Sequence, residues 1–345
     1  MTSRTATTRT ATAPTAATVT AAALALLSAA MGMPAASAEP GRDAGSTGGT
    51  PATYTLSGDP GDAAGSKFEG IGVDERREVF YVSETTGGEV HRGHLDEQQT
   101  QVWLQGDGTD GRFTARGITV DRQGRVYIAG GPNGIDHPGM PDLWVYDRDG
   151  NLLATFDLGD RDAFLNDVAI GPDGAAYFTD SNDPQIFRVA FERGAWTAEL
   201  WRTAANITRG AGFNLGGIVV APDRRSLVVA QGNTGDLWRF DLATDAVTRI
   251  ETGGANLTSA DGLVLRGNRL TVIRNFPRVL TTLRLDSDAD SAELLREVAT
   301  DPERVFTTGK VLQGRLLLVD SHFEEPIGQP PYQVVSIPFG RGSRR

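Results

Sequence analysis

Six strand-like segments each open with a residue that stands at the same place in a repeated pattern. We call these six the slot residues, and they are Glu69, Arg116, Asn166, Gly216, Asp261 and Thr308. Five of them are polar, although the segments that they open are rich in Ile, Val and Leu. Carboxylate and amide oxygens suit Ca²⁺ or Mg²⁺ better than Zn²⁺. If the slot residues lie together, Glu69, Asn166 and Asp261 predict a site for a divalent cation.

The histidines do not favour a zinc site. The chain has no Cys, and its four His contain no i, i+4 pair, so a structural zinc centre is not expected. His322 follows the second strand of the last repeat, in Ser321-His322-Phe323. Two interpretations of it stay open: a catalytic proton shuttle at the same site, or a histidine of a surface loop.

The slot residues are evenly spaced along the chain, at intervals of 47, 50, 50, 45 and 47 residues. Each slot segment precedes a turn, a returning strand and a third strand with large apolar residues, such as Leu143-Trp144-Val145-Tyr146. A fourth, outer strand usually follows, and the segments have the β-branched and aromatic composition of strands. Six such units predict an all-β protein, a six-bladed β-propeller of four-stranded antiparallel blades over residues 53–340.

A closed ring of blades predicts that the two ends of this domain lie side by side. Thr53-Tyr54-Thr55-Leu56 is expected to add the outer strand of the last blade, beside Gln333-Val334-Val335-Ser336-Ile337. The innermost strand of each blade lines the central channel of a propeller, so the slot residues are expected to face one another there.

The N-terminal segment predicts export. Arg4 and Arg9 precede an Ala-rich apolar run, and Ala36-Ser37-Ala38 is an A-x-A cleavage site, so residues 1–38 form a predicted Sec-type signal peptide of a secreted protein. The apolar run is too short for a membrane span. Residues 39–52 are interpreted as a flexible leader, and residues 341–345 as a basic tail.

Charge and composition narrow the class of partner. The formal charge of −11 becomes −13 without Arg4 and Arg9, which argues against nucleic acid and anionic membranes. Without Cys, the exported chain must rely on a hydrophobic core, which a chain of this length can bury. We expect a monomer with a small-molecule partner.

The motifs around the slots resemble the senescence-marker-protein (SMP-30/gluconolactonase/LRE-like) family, whose relatives include calcium-dependent diisopropylfluorophosphatase and the paraoxonases. The resemblance covers nearly the whole mature chain. It rests on these motifs: Glu69-Gly70-Ile71, Asn166-Asp167, Thr179-Asp180-Ser181, Ala260-Asp261-Gly262-Leu263 and Thr307-Thr308. It implies that Glu69, Asn166 and Asp261 hold a cation, Ca²⁺ or another such as Mg²⁺, that polarises a lactone carbonyl or phosphoryl oxygen. It also implies that Asp261 acts as general base or nucleophile.

The chain departs from the family pattern at two places. The fourth blade usually carries Asn-Gly at the slot, whereas this chain has Gly216-Gly217, and Asn214 would have to reach in from two residues earlier. An Arg that sugar lactonases often carry before the Asn-Asp pair is replaced by Ala163-Phe164-Leu165. Arg116 either binds an anionic substrate or neutralises Glu69 and Asp261.

Three functions are therefore weighed. The first is a Ca²⁺-dependent hydrolase of lactones, esters or phosphotriesters, with Arg116, Thr308 and Asn214 as substrate-binding residues and Asp261 and His322 as catalytic residues. The second is a secreted propeller without catalytic activity that binds a small molecule or a protein partner at the channel mouth. The third is a structural propeller that presents the loop 130–141 to a protein partner.

Overall fold

The computed structural model describes residues 52–59, 61–131, 140–159 and 162–339, and within them the regular elements are 24 β-strands. The chain begins with β1 (Thr53–Leu56). Blade 1 consists of β2 (Phe68–Asp74), β3 (Val79–Glu84), β4 (Val90–His94) and β5 (Gln101–Leu104). Blade 2 consists of β6 (Ile118–Val120), β7 (Val126–Ala129), β8 (Leu143–Tyr146) and β9 (Leu152–Phe156). Blade 3 consists of β10 (Leu165–Ile170), β11 (Ala176–Asp180), β12 (Gln185–Glu192) and β13 (Ala195–Thr203).

The second half of the chain repeats this pattern. Blade 4 consists of β14 (Leu215–Val220), β15 (Ser226–Gln231), β16 (Asp236–Asp241) and β17 (Val247–Arg249). Blade 5 consists of β18 (Ala260–Arg266), β19 (Arg269–Arg274), β20 (Val279–Leu285) and β21 (Ala292–Ala299). Blade 6 contains β22 (Phe306–Leu312), β23 (Arg315–Asp320) and β24 (Tyr332–Pro338). The predicted six-bladed propeller of four-stranded antiparallel blades is confirmed.

Blade 6 is completed by the first strand of the chain. β1 pairs antiparallel with β24, with Thr53 opposite Val335 and Leu56 opposite Tyr332. The expected closure by the N-terminal strand is therefore confirmed, and it ties the beginning of the propeller to its end.

Aromatic side chains fill the space between neighbouring blades. Trp144 on β8 is fully buried and belongs to one apolar cluster with Tyr81 and Val90 of blade 1. Phe240 on β16 is likewise buried and packs with Tyr177 of blade 3. The third strands therefore supply the core, as their apolar composition predicts.

Five of the six inner strands share a β-bulge at the slot. The register slips between Phe68 and Ile71 in β2, and at the corresponding place in β10, β14, β18 and β22. A bulge turns the local side chains away from the regular alternation of the strand and often lies beside a functional site. The slot residue and its successor are the two bulged residues in β2, β10, β14 and β18.

The glycine that follows several slot residues is required by the next blade. A Cβ on Gly70 would lie 2.1 Å from the carbonyl oxygen of Arg116, and one on Gly217 would lie 2.3 Å from that of Asp261. Only glycine allows the backbones of neighbouring blades to approach this closely. The repeated slot–Gly pair is thus a packing requirement that draws the slot residues into a ring.

The sixth slot was predicted one residue too far along the chain. The bulge in β22 lies between Phe306 and Gly309, so Thr307, and not Thr308, is in register with Glu69. The repeat here reads Thr-Thr-Gly, and aligning its glycine with the glycine of the other repeats shifted the prediction by one position.

Several predicted segments lie outside the described residues. These are the signal peptide (1–38), all of the leader (39–52) except residue 52, the basic tail (341–345), and residues 132–139 of the loop 130–141. Within the part of the chain that the structure describes, no helix has the length and apolar character needed to cross a bilayer.

Candidate functional site

A cavity of about 570 Å³ opens where the inner strands begin. Five predicted slot residues line it, namely Glu69, Arg116, Asn166, Gly216 and Asp261. A second cavity, of about 10 Å³, shares Glu69, Asn166 and Asp261 with the first and adds Thr308. Its volume is close to that of one water-sized species. The structure therefore brings the predicted metal ligands together at the base of a pocket of ligand size.

Glu69 is 8% exposed, and its position is fixed through its backbone. The hydroxyl of Thr307 donates a hydrogen bond of 2.9 Å to the Glu69 carbonyl oxygen, which joins blade 6 to blade 1. Burial, followed by the negative charge of Asp261, raises the pKa of Glu69 to about 8, against the opposing effect of Arg116. A buried carboxyl in this setting favours either a proton or a nearby cation.

Asp261 is oriented by a residue that sequence reasoning missed. The Asn275 side-chain amide donates a hydrogen bond of 2.8 Å to Asp261 Oδ2, and the Phe276 backbone N–H donates one of 2.7 Å to Asn275 Oδ1. Burial raises the pKa of Asp261 to about 7, while the Asn275 bond lowers it. The available signal was register: Ala260 pairs with Arg274, which brings the next residues of both strands to the same mouth.

Asn166 and the residue after it have separate tasks. The Asn166 carbonyl oxygen accepts a hydrogen bond of 2.7 Å from the Gly117 N–H. The Asp167 carboxylate accepts bonds from the N–H groups of Val168 (2.8 Å) and Ile218 (3.2 Å), so it joins blade 3 to blade 4. Asn166 has its side-chain oxygen 3.8 Å from the place where a Cβ on Gly216 would lie. Of the predicted Asn166-Asp167 pair, Asn166 therefore belongs to the candidate site, whereas Asp167 has a structural role between the blades.

Arg116 is buried and held by the backbone. Its guanidinium donates to the carbonyl oxygens of Gly130, Leu165 (3.2 Å) and Gly131 (3.4 Å), and it lies 3.9 Å from the centre of the Phe164 ring. Burial lowers its pKa to about 10, so it stays charged at neutral pH. Its positive charge acts on Glu69 across the cavity while its donors are used by carbonyls.

Asn214 lines the large cavity, but its polar atoms organise the loop before β14. Its side-chain oxygen accepts from the Gly210 N–H (2.8 Å) and from the Asn233 amide (3.1 Å). Its amide nitrogen lies 3.2 Å from the carbonyl oxygen of Ser181 and also from that of Gly212. Both polar atoms of the Asn214 side chain are engaged by these loops, so its predicted substrate-binding role is not part of the proposed function.

His322 lies apart from the site. It is buried in blade 6 and is not among the described residues that line either cavity. Its Nδ1 is 2.9 Å from Glu325 Oε1, its Nε2 is 4.0 Å from Asp320 Oδ2, and its ring contacts Tyr332. Its predicted role as proton shuttle has no geometric support here.

Aromatic side chains that the slot pattern does not include form part of the cavity wall. Phe164, Phe213, Phe276 and Phe323 line the cavity, and Phe213 and Phe276 are 61% and 53% exposed. The rings of Phe164 and Phe213 meet edge to face at 5.2 Å. They come from loops, where no period predicts which side chains meet. The mouth is therefore apolar above a polar base.

The residues at the base fit a hard divalent cation. Glu69 and Asp261 supply carboxylate oxygens, and Asn166 supplies an amide oxygen. The Thr308 hydroxyl is buried beside them without a hydrogen-bond partner among the described residues. Buried polar atoms without partners are rare and point to a ligand or a water. This all-oxygen set suits Ca²⁺ or Mg²⁺, and a bound dication would stabilise both ionised carboxylates.

Comparison with known proteins gives structural neighbours only. No protein-family model matches the chain, and no curated protein matches it. Among solved structures, a calcium-binding protein, regucalcin, from Agrobacterium tumefaciens is 16% identical, with a TM-score of 0.56 over 84% of this chain and 96% of that chain. A gluconolactonase from Xanthomonas campestris is 19% identical, with a TM-score of 0.55 over 79% and 86%. A catalytically inactive histidine-to-alanine variant of virginiamycin B lyase from Staphylococcus aureus is 13% identical, with a TM-score of 0.55 over 84% and 89%.

At these identities the neighbours establish the fold. They include propellers that are described with different activities, a lactonase and a lyase, so the scaffold does not by itself select a reaction. A gluconolactonase and a regucalcin are both among them, and the resemblance to the SMP-30/gluconolactonase family is therefore confirmed at the level of the fold.

Proposed function

We propose that this protein is a metal-dependent hydrolase of lactones, esters or phosphotriesters. The observation that carries the proposal is the convergence of the buried Glu69 carboxylate, the half-buried Asp261 carboxylate and the Asn166 amide at the base of a 570 Å³ cavity. The regucalcin neighbour is described as calcium-binding and another neighbour as a gluconolactonase, which supports this choice of chemistry.

Glu69, Asn166 and Asp261 would hold the cation. When bound, the cation supplies Lewis acidity toward a carbonyl or phosphoryl oxygen. Asp261 Oδ2 accepts the Asn275 hydrogen bond, and Oδ1 is the oxygen that would take a proton from an attacking water. Arg116 adds a fixed positive charge to the cavity that lies near Glu69 and favours an anionic or strongly polar substrate group.

The apolar wall orients the rest of the substrate. Phe213 and Phe276 present exposed rings at the mouth, and aromatic surfaces of this kind bind apolar or aromatic groups.

The proposal is tested on the purified mature protein. We expect metal analysis to find a divalent ion, and an aryl ester or lactone to be hydrolysed in a reaction that EDTA abolishes. Asp261→Asn should lower kcat at least about a hundredfold, in the range of a lost general base. Asp173→Asn, in an exposed turn, is the matched control and should leave kcat unchanged. Activity that resists EDTA and Asp261→Asn would contradict the proposal.

A second function is favoured by Gly216. Gly216 contributes no side-chain ligand, so a cavity that binds a small molecule without turnover is the alternative. Calorimetry with an aryl ester and with its unreactive ether analogue separates the two. Equal binding of both, without product, would favour the binding protein.

We also propose that the chain is exported, cleaved after Ala38 and monomeric. The A-x-A motif and the positive n-region support export, and the mature charge of −13 favours a soluble monomer. A mature N-terminus at Glu39 and a monomer mass in light scattering are the expected results.

A further inference from the structure

We propose a second divalent-cation site on blade 1, formed by Asp59, Glu89 and Asp107 and suited to Ca²⁺. Asp59 precedes β2, Glu89 lies in the β3–β4 hairpin, and Asp107 follows β5. One carboxylate oxygen from each residue lies within 4.8 Å of the others. Two oxygens that bind one Ca²⁺ at about 2.3–2.6 Å can be at most about 5 Å apart, so the three match a shared ion.

The independent observation is the state of Glu89. Its side chain is buried, with the residue 7% exposed, and Glu89 Oε1 accepts a hydrogen bond of 3.1 Å from the Gly106 N–H. Glu89 Oε2 is buried and accepts from no N–H or hydroxyl donor among the residues that the structure describes, and the neighbouring Glu84 carboxyl can donate to Glu89 only in its protonated form. A buried carboxylate oxygen without a partner is costly to the fold, and a cation would remove that cost.

Most of the charged groups around Glu89 carry its own sign. After burial, which is the largest effect, the nearby carboxylates of Glu84, Asp107 and Asp59 all raise the pKa of Glu89, to about 7. Arg112 donates from its guanidinium to the carbonyl oxygens of Gly88 and Gln105 and to the Tyr146 hydroxyl. Its single positive charge interacts with Glu89 but faces several carboxylates, and a dication at the three proposed ligands would balance the remaining negative charge.

The glycines around the cluster keep it open. A Cβ on Gly106 would lie 2.5 Å from Glu89 Oε1, and one on Gly87 would lie 2.4 Å from Glu89 Oε2. The Asp107 N–H donates a hydrogen bond of 2.9 Å to the Gly87 carbonyl oxygen, so the hairpin and the β5–β6 connection meet here. Any side chain at either glycine would collide with the Glu89 carboxylate.

The site would tie together three segments that are far apart in the sequence. The β3–β4 hairpin that carries Glu89 also carries Thr85, which lines the large cavity. A bound ion would therefore stabilise the fold and hold one wall of the cavity. None of the three ligands belongs to the central site, so this inference does not depend on the proposed function.

The test begins with a chain in which the central ligands are neutralised, Glu69→Gln with Asp261→Asn. After removal of metal by EDTA and dialysis, calorimetry with CaCl₂ should detect one bound Ca²⁺. Adding Glu89→Gln should weaken that binding at least about tenfold, because affinity depends on the number of charged ligands. Glu97→Gln, an exposed acid of the same blade, is the matched control and should leave binding unchanged. The proposal is overturned if the chain with the neutralised central ligands binds no Ca²⁺. It is also overturned if adding Glu89→Gln leaves the Ca²⁺ affinity as high as adding Glu97→Gln does.

Thermal unfolding of the otherwise wild-type chain gives a second measurement. At Ca²⁺ a hundredfold above the Kd of the blade 1 site, binding at that site should contribute about 4 °C to Tm for a domain of this size, in addition to the contribution of the central site. In EDTA, Glu89→Gln should unfold at the same or a higher temperature than wild type, because its amide can donate to Asp59 or Asp107. In Ca²⁺, Glu89→Gln should unfold at a lower temperature than wild type, because it binds the ion more weakly. A variant that is less stable in both conditions would show a packing role only and contradict the proposal.

Discussion

Substitution of Gly216 by Asn should strengthen cation binding at the central site. A Cβ on Gly216 would meet no atom closer than 3.6 Å, and one of its nearest neighbours is Asn166 Oδ1, at 3.8 Å. The position therefore accepts a side chain that points toward the proposed ligands. Its backbone is not in the left-handed region, so no strain opposes the change.

The expected gain has two separable parts. One additional oxygen ligand should tighten Ca²⁺ binding about tenfold, which is about 1.4 kcal/mol. Replacing a strand glycine should also raise the free energy of unfolding by about 0.5–1 kcal/mol, even without metal. Calorimetry with CaCl₂ measures the first part, and chemical denaturation in EDTA measures the second.

Two neighbouring variants make the result interpretable. Gly216→Ala should share the gain in stability without the gain in affinity. Gly217→Ala should lose about 1–3 kcal/mol, because its Cβ would lie 2.3 Å from the Asp261 carbonyl oxygen and must displace backbone. If Gly216→Asn binds Ca²⁺ no more tightly than Gly216→Ala, the cation does not lie beside the fourth slot and the assignment of the ligands is wrong.

Three further outcomes are expected at the large cavity and its base. In EDTA, Tm should fall as the pH rises from about 5 to about 8: the folded-state pKa values of Glu69 and Asp261 are raised, so the native state holds protons that the unfolded chain has released. Each group changes the free energy of unfolding by up to about 1.4 kcal/mol per pH unit. Glu69→Gln should reduce this dependence on pH. A variant with the same dependence as wild type would contradict the argument that burial raises the pKa of Glu69. Asn275→Ala should lower kcat and move the acidic limb of its pH profile to higher pH, because the bond that lowers the pKa of Asp261 is lost; an unmoved limb would exclude Asp261 as the titrating base. Phe213→Ala should raise KM for an aryl ester several-fold and leave kcat nearly unchanged, whereas an unchanged KM would remove the ring from the binding surface.

The fold was predictable because its signal is periodic. Slot residues near 47-residue spacing, with turns and apolar third strands between them, specify both the number of blades and their composition. The interval is a property of one repeat, so it can be read without knowing which blades touch. The closing strand was predictable for the same reason, since a ring of six units leaves one outer strand to be supplied by the N-terminal segment.

The site was predictable only where it follows that period. Glu69, Asn166 and Asp261 occupy the slot in three repeats and do lie around one cavity. Asn275 and the four phenylalanines belong to loops and strand ends, whose proximity depends on pairing register and loop path. Thr307 shows the limit clearly, because a bulge inserts one residue and a sequence alignment anchored on the glycine cannot place it.

The same reasoning explains why the polar atoms of Asn214 and the ring of His322 are held by local partners and not by the central ligands. Asn214 is two residues from the fourth slot, which placed it within reach along an extended strand, yet the loop before β14 needs its amide for its own hydrogen bonds. His322 follows β23 at the correct end of the blade, but its ring packs on Tyr332 and faces Glu325. In both cases local partners, which the sequence pattern does not specify, determine the direction of the side chain.

The buried carboxylates at the central site are better explained by function than by packing. Burial raises the pKa of Glu69 and of Asp261, so each ionised group destabilises the metal-free fold. Bulges in the inner strands, the Thr307–Glu69 bond between blades and the Asn275–Asp261 bond nevertheless hold both groups in place. Structure that fixes unfavourable groups from several sides is typical of a binding or catalytic site. A divalent cation is the simplest partner that turns this cost into stability, which is why removal of the metal should affect folding as well as activity.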